Sequence, residues 1–342
     1  MSNNILVPER YLPTGQVLRG GMGAVLICKD TNLERDVAIK FIQDVEDRRR
    51  LFDEISALQK IRSKHVVQIF DVFVNEVNRD IGIIQEYVPG DDLSNYADQK
   101  NLSVQEYLKI LYQIISGISD IHSQGLIHRD IKPNNMKVDQ ANIIKIFDFG
   151  LARFSGQNDS TVGFQGTLGF SAPELYRSGS VFFTQAIDVY SFGVTAWYLS
   201  GEKLPEGLLK TPLDLKNLPS FSSWGLTLPG NIAKILDQTL SEEPDNRPSS
   251  SEIRDLIGNF LSFGKHRGLL VAGRQQYILE KVNTTIKLDV KKYGSIHIKY
   301  NGLEFLVDFV NILTWFKYES PSHFTKKRVN LYHCPTWRWR IK

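Results

Sequence analysis

The chain has 342 residues, with 41 Lys or Arg, 38 Asp or Glu and a formal net charge of +3 at pH 7. This length exceeds that of one ordinary domain. Two cysteines are too few for a disulfide framework and indicate a reducing compartment. The N-terminus lacks the basic start and apolar core of a signal peptide, and no apolar run reaches the ~18 residues of a membrane span. We therefore expect a cytoplasmic protein.

The first elements are a glycine-rich loop, a strand and a helix. The loop reads QVLRGGMGAV over residues 16–25, and its glycines would let backbone N–H groups approach a phosphate. VAIK at residues 37–40 predicts a strand. RRRLFDEISALQKI at residues 48–61 has apolar residues at helical spacing, which predicts a helix with one charged face.

The densest polar motifs lie in the middle of the chain. IGIIQEYV at residues 81–88 predicts a strand, and HRDIKPNN at residues 128–135 is followed by an alternating apolar stretch and DFG at residues 148–150. Two acids therefore lie 18 positions apart, at 130 and 148, across a predicted hairpin. A serine- and glycine-rich segment then ends in APE at residues 172–174.

In this order, the motifs resemble those of the eukaryotic-type (Hanks-type) serine/threonine protein kinases, and GGMG with compact linkers is similar to the bacterial or phage-encoded members. The resemblance implies a two-lobed α+β fold: a lead at residues 1–10, then a kinase domain at 11–264 with lobes at 11–88 and 89–264. It implies transfer of the γ-phosphoryl group of ATP, with Mg²⁺, to serine or threonine hydroxyls of protein substrates. The alternative is a pseudokinase, a binding scaffold that keeps the fold.

The resemblance assigns the chemistry to five residues. Asp130 would accept or orient the proton of the substrate hydroxyl, and Lys132 would offset the charge of the transferring phosphoryl group. Asn135 and Asp148 would offer oxygen atoms to Mg²⁺, a hard cation that prefers oxygen ligands. Lys40 would hold the α- and β-phosphates.

A lysine among phosphates needs a carboxylate that fixes its position. Glu54 lies on the predicted helix where the family places this partner, and Asp53 is its rival. Because Leu51 and Ile55 set the buried stripe, Glu54 flanks that stripe and Asp53 points farther round the helix. We therefore expect Glu54 to pair with Lys40.

The resemblance also implies an adenine site and a phosphate-binding loop. Backbone groups of Glu86 and Val88 would bind the adenine edge, with Gln85 behind them. Leu18 replaces the first glycine of the family pattern, a change that could lower nucleotide affinity. The expected ATP-binding residues are Val17, Leu18, Arg19, Gly20, Gly21, Met22, Gly23, Ala24, Val25, Ala38, Lys40, Glu86 and Val88.

The segment between DFG and APE resembles an activation segment. The Thr167 hydroxyl would touch the acid and the lysine of the catalytic loop, and this combination is the serine/threonine pattern. Ser160 and Thr161 are candidate phosphorylation sites whose phosphate would pair with Arg129; the alternative is a loop that is simply mobile.

Two further residues match structural anchors of the family. Asp188 in DVYSFGV would hold the backbone of the catalytic loop, and Arg247 in NRPS would pair with Glu174. Both contacts would stabilise the large lobe.

The charge changes sign where the resemblance ends. Residues 265–342 hold 15 Lys or Arg and 5 Asp or Glu, against 26 and 33 in residues 1–264. Alternating runs separated by Tyr293-Gly294 and Asn301-Gly302 predict a β-rich extension. Its basic, Trp-containing end suits three readings: packing on the kinase lobe, an acidic protein partner, or nucleic acid or an anionic membrane. In the nucleic-acid reading, phosphorylation would regulate the extension.

Overall fold

The structure is a computed structural model that describes residues 7–20, 23–42, 48–75, 80–98, 102–149, 153–154, 158–159, 167–176, 181–210, 213–223, 227–272, 275–290, 294–310 and 337–341. It divides into two compact units, Met1–Ile257 and Gly258–Lys342, and each is described by itself. The expected domain boundary at residue 264 stays a prediction. No helix in the described ranges is long and apolar enough to cross a membrane.

The first unit begins with a five-stranded antiparallel sheet in the order β1-β2-β3-β5-β4. Its strands are β1 (Tyr11–Gly20), β2 (Gly23–Asp30), β3 (Arg35–Ile42), β4 (Ile69–Val74) and β5 (Ile81–Glu86). Strand β3 lies between two neighbours, and its central residues are buried on both faces. Because side chains alternate along a strand, Val37 and Ile39 enter the core of the sheet, while Ala38 and Lys40 face a cleft on its other side.

Helix α1 (Arg48–Lys60) connects β3 to β4. The predicted apolar stripe is partly confirmed, because Ile55 and Leu58 are buried whereas Leu51 is half-buried. Glu54 is 3 % exposed and Asp53 is exposed. The helix therefore turns Glu54, and not its rival, towards the interior.

The remainder of the first unit is mainly helical. Its helices are α2 (Leu93–Asp98), α3 (Val104–Ser123), α4 (Ala186–Leu199), α5 (Gly230–Thr239) and α6 (Ser250–Ser262), of which α6 runs past the end of the unit. Between them lie the short strands β6 (Leu126–Ile127), β7 (Met136–Val138), β8 (Ile144–Ile146), β9 (Arg153–Phe154), β10 (Asn158–Asp159) and β11 (Val181–Phe182). Helix α3 starts at a capping box between Ser103 and Glu106. Helices α3 and α4 are largely buried. Asp188 on α4 contacts His122 on α3 and accepts the backbone N–H of His128 in the HRDIKPNN motif.

The second unit is β-rich, as expected. It contains β12 (Gly268–Ala272), β13 (Gln275–Leu279), β14 (Thr285–Val290), β15 (Gly294–Tyr300), β16 (Phe305–Val310) and β17 (Trp337–Ile341). These strands form two antiparallel sheets, in the orders β13-β12-β17 and β14-β15-β16. Leu270, Leu288, Ile298 and Tyr300 form part of the core of the unit. Together with the first unit, this confirms the predicted α+β class.

Candidate active site

The buried carboxylate of Asp188 holds the backbone of the loop that follows β6. One carboxylate oxygen accepts hydrogen bonds from the backbone N–H of His128 at 2.7 Å and contacts His122 Nε2 at 3.0 Å. The other oxygen accepts the N–H of Arg129 at 2.8 Å. Burial raises the pKa of Asp188, but the hydrogen bond with His122, the charges of His122 and His128 and the hydrogen bond from the His128 N–H together lower it by more, so the pKa lies below its usual value. The contact predicted for Asp188 is present.

Two residues of the predicted catalytic motifs have a strained backbone. Arg129 has a φ of 70° and Asp148 a φ of 69°, in the left-handed region that non-glycine residues rarely adopt. Such conformations persist where the surroundings over-determine them, and they concentrate at functional sites. Both residues belong to the predicted catalytic motifs.

Four polar side chains converge on the loop. Asp130 is 4 % exposed; its Oδ1 accepts a hydrogen bond from the Thr167 hydroxyl at 2.9 Å, and its Oδ2 accepts one from the Asn135 amide at 2.6 Å. Lys132 Nζ lies 2.8 Å from Asp130 Oδ2 and donates to the Thr167 hydroxyl at 2.7 Å. The contacts predicted for Thr167 are therefore present, although 35 residues separate Thr167 from Lys132.

A second charged pair lies across the cleft. Lys40 on β3 forms an ion pair with Asp148, which follows β8 and is 108 residues away in sequence. Glu54 lines a small cavity of about 30 Å³ together with Lys40 and Phe149. Lys40 and Glu54 thus border the same space, and the expected pairing between them stays a prediction.

The two clusters border one cavity of about 700 Å³. Eleven of the site residues expected from the sequence line this cavity: Val17, Leu18, Val25, Ala38, Lys40, Glu86, Val88, Asp130, Lys132, Asn135 and Asp148. One part of the wall is aliphatic and the other carries cations and carboxylates, so the cavity suits a ligand with an apolar end and an anionic end. Asn135 uses its amide nitrogen for both its hydrogen bonds to Asp130, so its amide oxygen is the group with which it would bind a cation beside Asp148.

Some predicted residues of the phosphate-binding loop are only partly described. The backbones of Gly20 and Gly23 pair at the ends of β1 and β2, which also contain Arg19 and Ala24. Gly21 and Met22 lie outside the described residues.

Strand β5 ends at Glu86, whose side chain and backbone are both held by contacts with neighbouring residues. The Glu86 side chain pairs with Lys145 on β8 at 2.8 Å and accepts the Gln68 N–H at 3.2 Å. The Glu86 N–H in turn donates to the Gln68 carbonyl oxygen at 2.8 Å. These contacts fix the backbone of β5 at the edge of the cavity, close to Val88.

Sequence reasoning missed several residues of the cavity. Asp92 and Lys137 line it, and Lys137 donates to the Gly90 carbonyl oxygen at 2.9 Å. The pKa of Asp92 lies above its usual value, because burial raises it by more than the charge of Lys137 lowers it. The acidic pair at residues 91–92, which follows the predicted strand after Pro89 and Gly90, was the available signal for Asp92. Lys137 carried no signal, because a lysine in a short alternating strand reads as solvent-exposed.

The anchors predicted for the large lobe are present. Arg247 forms a bidentate pair with Glu174 at 2.7 and 2.8 Å.

Arg129 is 3 % exposed, and its guanidinium carbon lies 4.0 Å from the centre of the Phe183 ring. The candidate phosphorylation sites Ser160 and Thr161 lie outside the described residues, so their pairing with Arg129 stays a prediction.

Comparisons with known proteins agree with this geometry. The family model described as "Protein kinase domain" matches residues 12–256. The serine/threonine-protein kinase PrkC of Bacillus subtilis is 30 % identical over 265 residues, which is 72 % of this chain and 40 % of that protein. The probable serine/threonine-protein kinase pknA2 of Bifidobacterium longum is 29 % identical over 264 residues, 71 % of this chain and 34 % of that protein. The chain thus spans less than half the length of these two relatives.

Proposed function

Since this chain belongs to the protein kinase family, we propose that it transfers the γ-phosphoryl group of ATP to serine or threonine hydroxyls of protein substrates, in a signalling role. The observation that carries the proposal is the Thr167 hydroxyl, which joins Asp130 at 2.9 Å and Lys132 at 2.7 Å. The hydroxyl thus joins a carboxylate and a cation that both line a cavity of about 700 Å³, which lies in the size range of small-molecule and cofactor sites.

Nucleotide binding is assigned to the part of the cavity that is lined by residues of β3 and β5. Lys40 would hold the α- and β-phosphates, with Glu54 as the carboxylate that positions it. The backbone of Glu86 and Val88 would bind the adenine edge, because Lys145 and Gln68 already fix the position of Glu86. The loop at residues 17–25 would cover the phosphates.

Asn135 and Asp148 would hold Mg²⁺ through oxygen atoms. When bound, the cation would supply positive charge that offsets the negative charge of the transferring phosphoryl group. The ion pair between Lys40 and Asp148 supports this assignment, because it brings the carboxylate next to the lysine that is proposed to hold the phosphates.

Asp130 and Lys132 would carry the transfer itself. Asp130 orients the acceptor hydroxyl and takes its proton as that oxygen bonds to the γ-phosphorus. The bond from the γ-phosphorus to the β,γ-bridging oxygen breaks, and ADP keeps the electron pair. Lys132 offsets the charge on the transferring group, so that catalysis rests mainly on positioning and on electrostatic stabilisation.

Regulation, domain limits and location remain parts of the proposal. Phosphate on Ser160 or Thr161 would pair with Arg129, and Thr167 would couple the activation segment to the catalytic loop. The kinase domain would occupy residues 11–264, and residues 265–342 would bind an acidic protein partner because of their excess of 15 basic over 5 acidic side chains. Nucleic acid or an anionic membrane is the alternative partner. The unpaired thiol of Cys28 supports a cytoplasmic location.

The proposed activity is tested with labelled ATP and Mg²⁺. We expect autophosphorylation that Asp130→Asn abolishes and that Asp53→Asn, an exposed control on α1, retains. If the folded wild-type protein and the Asp130→Asn variant incorporate equally little phosphate while both bind nucleotide, the chain is a scaffold and the proposal fails. Mass spectrometry then tests the regulatory sites, and phosphate found only outside residues 151–171 would contradict them.

A further inference from the structure

A serine at the start of α6 is connected to the carboxylate that holds the catalytic loop. His122 Nε2 lies 3.0 Å from Asp188 Oδ2, the oxygen that also accepts the His128 N–H at 2.7 Å. The other ring nitrogen, His122 Nδ1, lies 2.9 Å from Ser250 Oγ. Ser250 is the first residue of α6. Two side chains, those of Ser250 and His122, therefore link α6 to the Asp188 carboxylate.

All three side chains of this chain of contacts are shielded from solvent. Ser250 is 4 % exposed and His122 is 7 % exposed, and Asp188 is fully buried. A buried polar group that loses its partner stays unsatisfied, because water does not readily take the place of that partner. The Ser250 hydroxyl is thus the group on which the second nitrogen of the His122 ring depends.

The chemistry of the carboxylate sets the direction of the hydrogen bonds. An ionised carboxylate only accepts, so the ring nitrogen that faces Asp188 must carry the hydrogen. In the neutral imidazole the other nitrogen, Nδ1, is then an acceptor, and the Ser250 hydroxyl donates to it. A ring that is held at both nitrogens has a fixed orientation, whereas a ring held at one nitrogen can rotate. The serine therefore keeps the Nε2–H of His122 pointed at Asp188.

Neighbouring hydrogen bonds do not perform the same task. The Gln185 side chain donates to the His122 carbonyl oxygen at 2.8 Å, which holds the backbone of His122 and leaves its ring free. The start of α6 is capped by the preceding serine, because Glu252 N–H donates to Ser249 Oγ at 3.2 Å and Ser249 N–H donates to Glu252 Oε2 at 2.7 Å. The Ser250 hydroxyl is thus available for His122.

We propose that Ser250 is a positioning residue for phosphoryl transfer, whose hydroxyl acts through His122 and Asp188 on the backbone that carries Asp130. This inference rests on the proposed kinase function and adds to it a residue outside the cavity. Ser250 does not line the cavity of about 700 Å³, so it affects the rate of transfer and leaves ATP binding unchanged.

The test measures autophosphorylation of the full chain at increasing ATP concentration. Ser250→Ala should lower the rate at saturating ATP by about two- to tenfold, which corresponds to the net contribution of one hydrogen bond. The ATP concentration that gives half of the maximal rate should stay the same. Ser250→Thr keeps a hydroxyl and should restore most of the rate. Ser250→Cys, which has only a weak donor, repeats the test if Ser250→Ala does not fold.

Ser249→Ala is the matched control, because it removes the adjacent hydroxyl, which caps α6 and does not contact His122. It should lower Tm and keep the rate of the wild-type protein. Equal loss of rate in Ser249→Ala and Ser250→Ala would overturn the proposal, since the stability of α6 would then explain both. A wild-type rate in folded Ser250→Ala, or no recovery in Ser250→Thr, would also overturn it.

A second measurement is independent of turnover. The NMR signals of the His122 ring nitrogens and of the His128 and Arg129 amides should shift in Ser250→Ala and stay in place in Ser249→Ala. Signals that are unchanged in Ser250→Ala would overturn the proposal whatever the activity. Absence of autophosphorylation in the folded wild-type protein instead contradicts the proposed kinase function, so the two failures are distinguishable.

Discussion

Replacing Asp188 with Asn should weaken both the fold and the active site. The carboxylate is fully buried and serves three donors: the N–H groups of His128 and Arg129 and the ring of His122. An amide has one acceptor oxygen, so at least one backbone N–H would face another donor. An unsatisfied buried donor costs about 1–3 kcal/mol, and loss of charge-assisted hydrogen bonding adds to this. We expect a loss of about 2–4 kcal/mol in the free energy of unfolding.

The same substitution should lower activity in the protein that stays folded. Asp188 holds the N–H of Arg129, whose backbone is left-handed and which directly precedes Asp130. A displacement of about 1 Å at the reacting groups can cost about a hundredfold in rate. We therefore expect kcat to fall by about a hundredfold, measured as peptide phosphorylation well below the unfolding temperature of the variant.

Asp237→Asn provides a matched control. Asp237 is half-buried and accepts two hydrogen bonds, from the Ser220 hydroxyl at 2.6 Å and the Phe221 N–H at 2.8 Å, but it lies on α5 outside the candidate site. The Asp237→Asn variant should lose stability but keep the kcat of the wild-type protein. A Tm drop of about 5–10 °C is expected for Asp188→Asn by differential scanning fluorimetry. An unchanged Tm and kcat in Asp188→Asn would refute the reasoning, and equal losses of kcat in both variants would show that stability alone is measured.

The pH dependence of stability gives an independent check on Asp188. Its folded-state pKa lies below its usual value, so the folded protein holds the charged form more strongly than the unfolded chain does. This contribution is complete above the unfolded pKa of about 3.9 and is lost as the pH falls through the folded pKa. The Tm difference between wild type and Asp188→Asn should therefore be constant near neutral pH and shrink in acid. A difference that grows in acid would contradict the assigned sign.

Three more predictions concern the site. Thr167→Ala should lower kcat by about tenfold or more, because Asp130 and Lys132 lose their shared partner, and Thr167→Ser should recover most of it; equal kcat in both variants would count against the bridge. Glu54→Gln should raise KM for ATP and lower kcat, whereas Asp53→Asn on the same helix should change neither; the reverse order would show that the wrong acid was chosen. Lys145→Met should raise KM for ATP a few-fold through the position of Glu86 with kcat unchanged, and its effect on unfolding should stay below about 1 kcal/mol because the pair is partly exposed.

The residues of the site could be predicted where a motif combines residue type with spacing. Asp130, Lys132 and Asn135 follow one another in a short loop, and the helical spacing of the apolar residues around Glu54 is enough to distinguish it from Asp53. The long-range contacts were predictable only through the family resemblance. The 108-residue separation between Lys40 and Asp148, for example, is a property of the fold.

Other features required the three-dimensional structure. Leu208 and Leu209 are adjacent and chemically identical, yet one is fully buried and the other half exposed. Nothing in the local pattern distinguishes them, because their four-residue helix, Glu206–Leu209, is too short to show a periodicity. Lys145 likewise reads as a solvated residue of an alternating strand, and its contact with Glu86 depends on how β8 packs near the end of β5.

Both acids of the proposed transfer depend on backbone conformations that are unfavourable by themselves. Arg129, which precedes Asp130, and Asp148 are both left-handed, and each such residue costs of order 1–3 kcal/mol. Asp188 offsets this cost for the catalytic loop by holding the Arg129 N–H, whereas Asp148 is held within the cavity by Lys40. Lys40 is also the residue proposed to bind phosphates. Nucleotide binding would therefore draw on the same lysine that now holds Asp148, so the position of the metal-binding acid and occupancy of the phosphate site are coupled through one side chain.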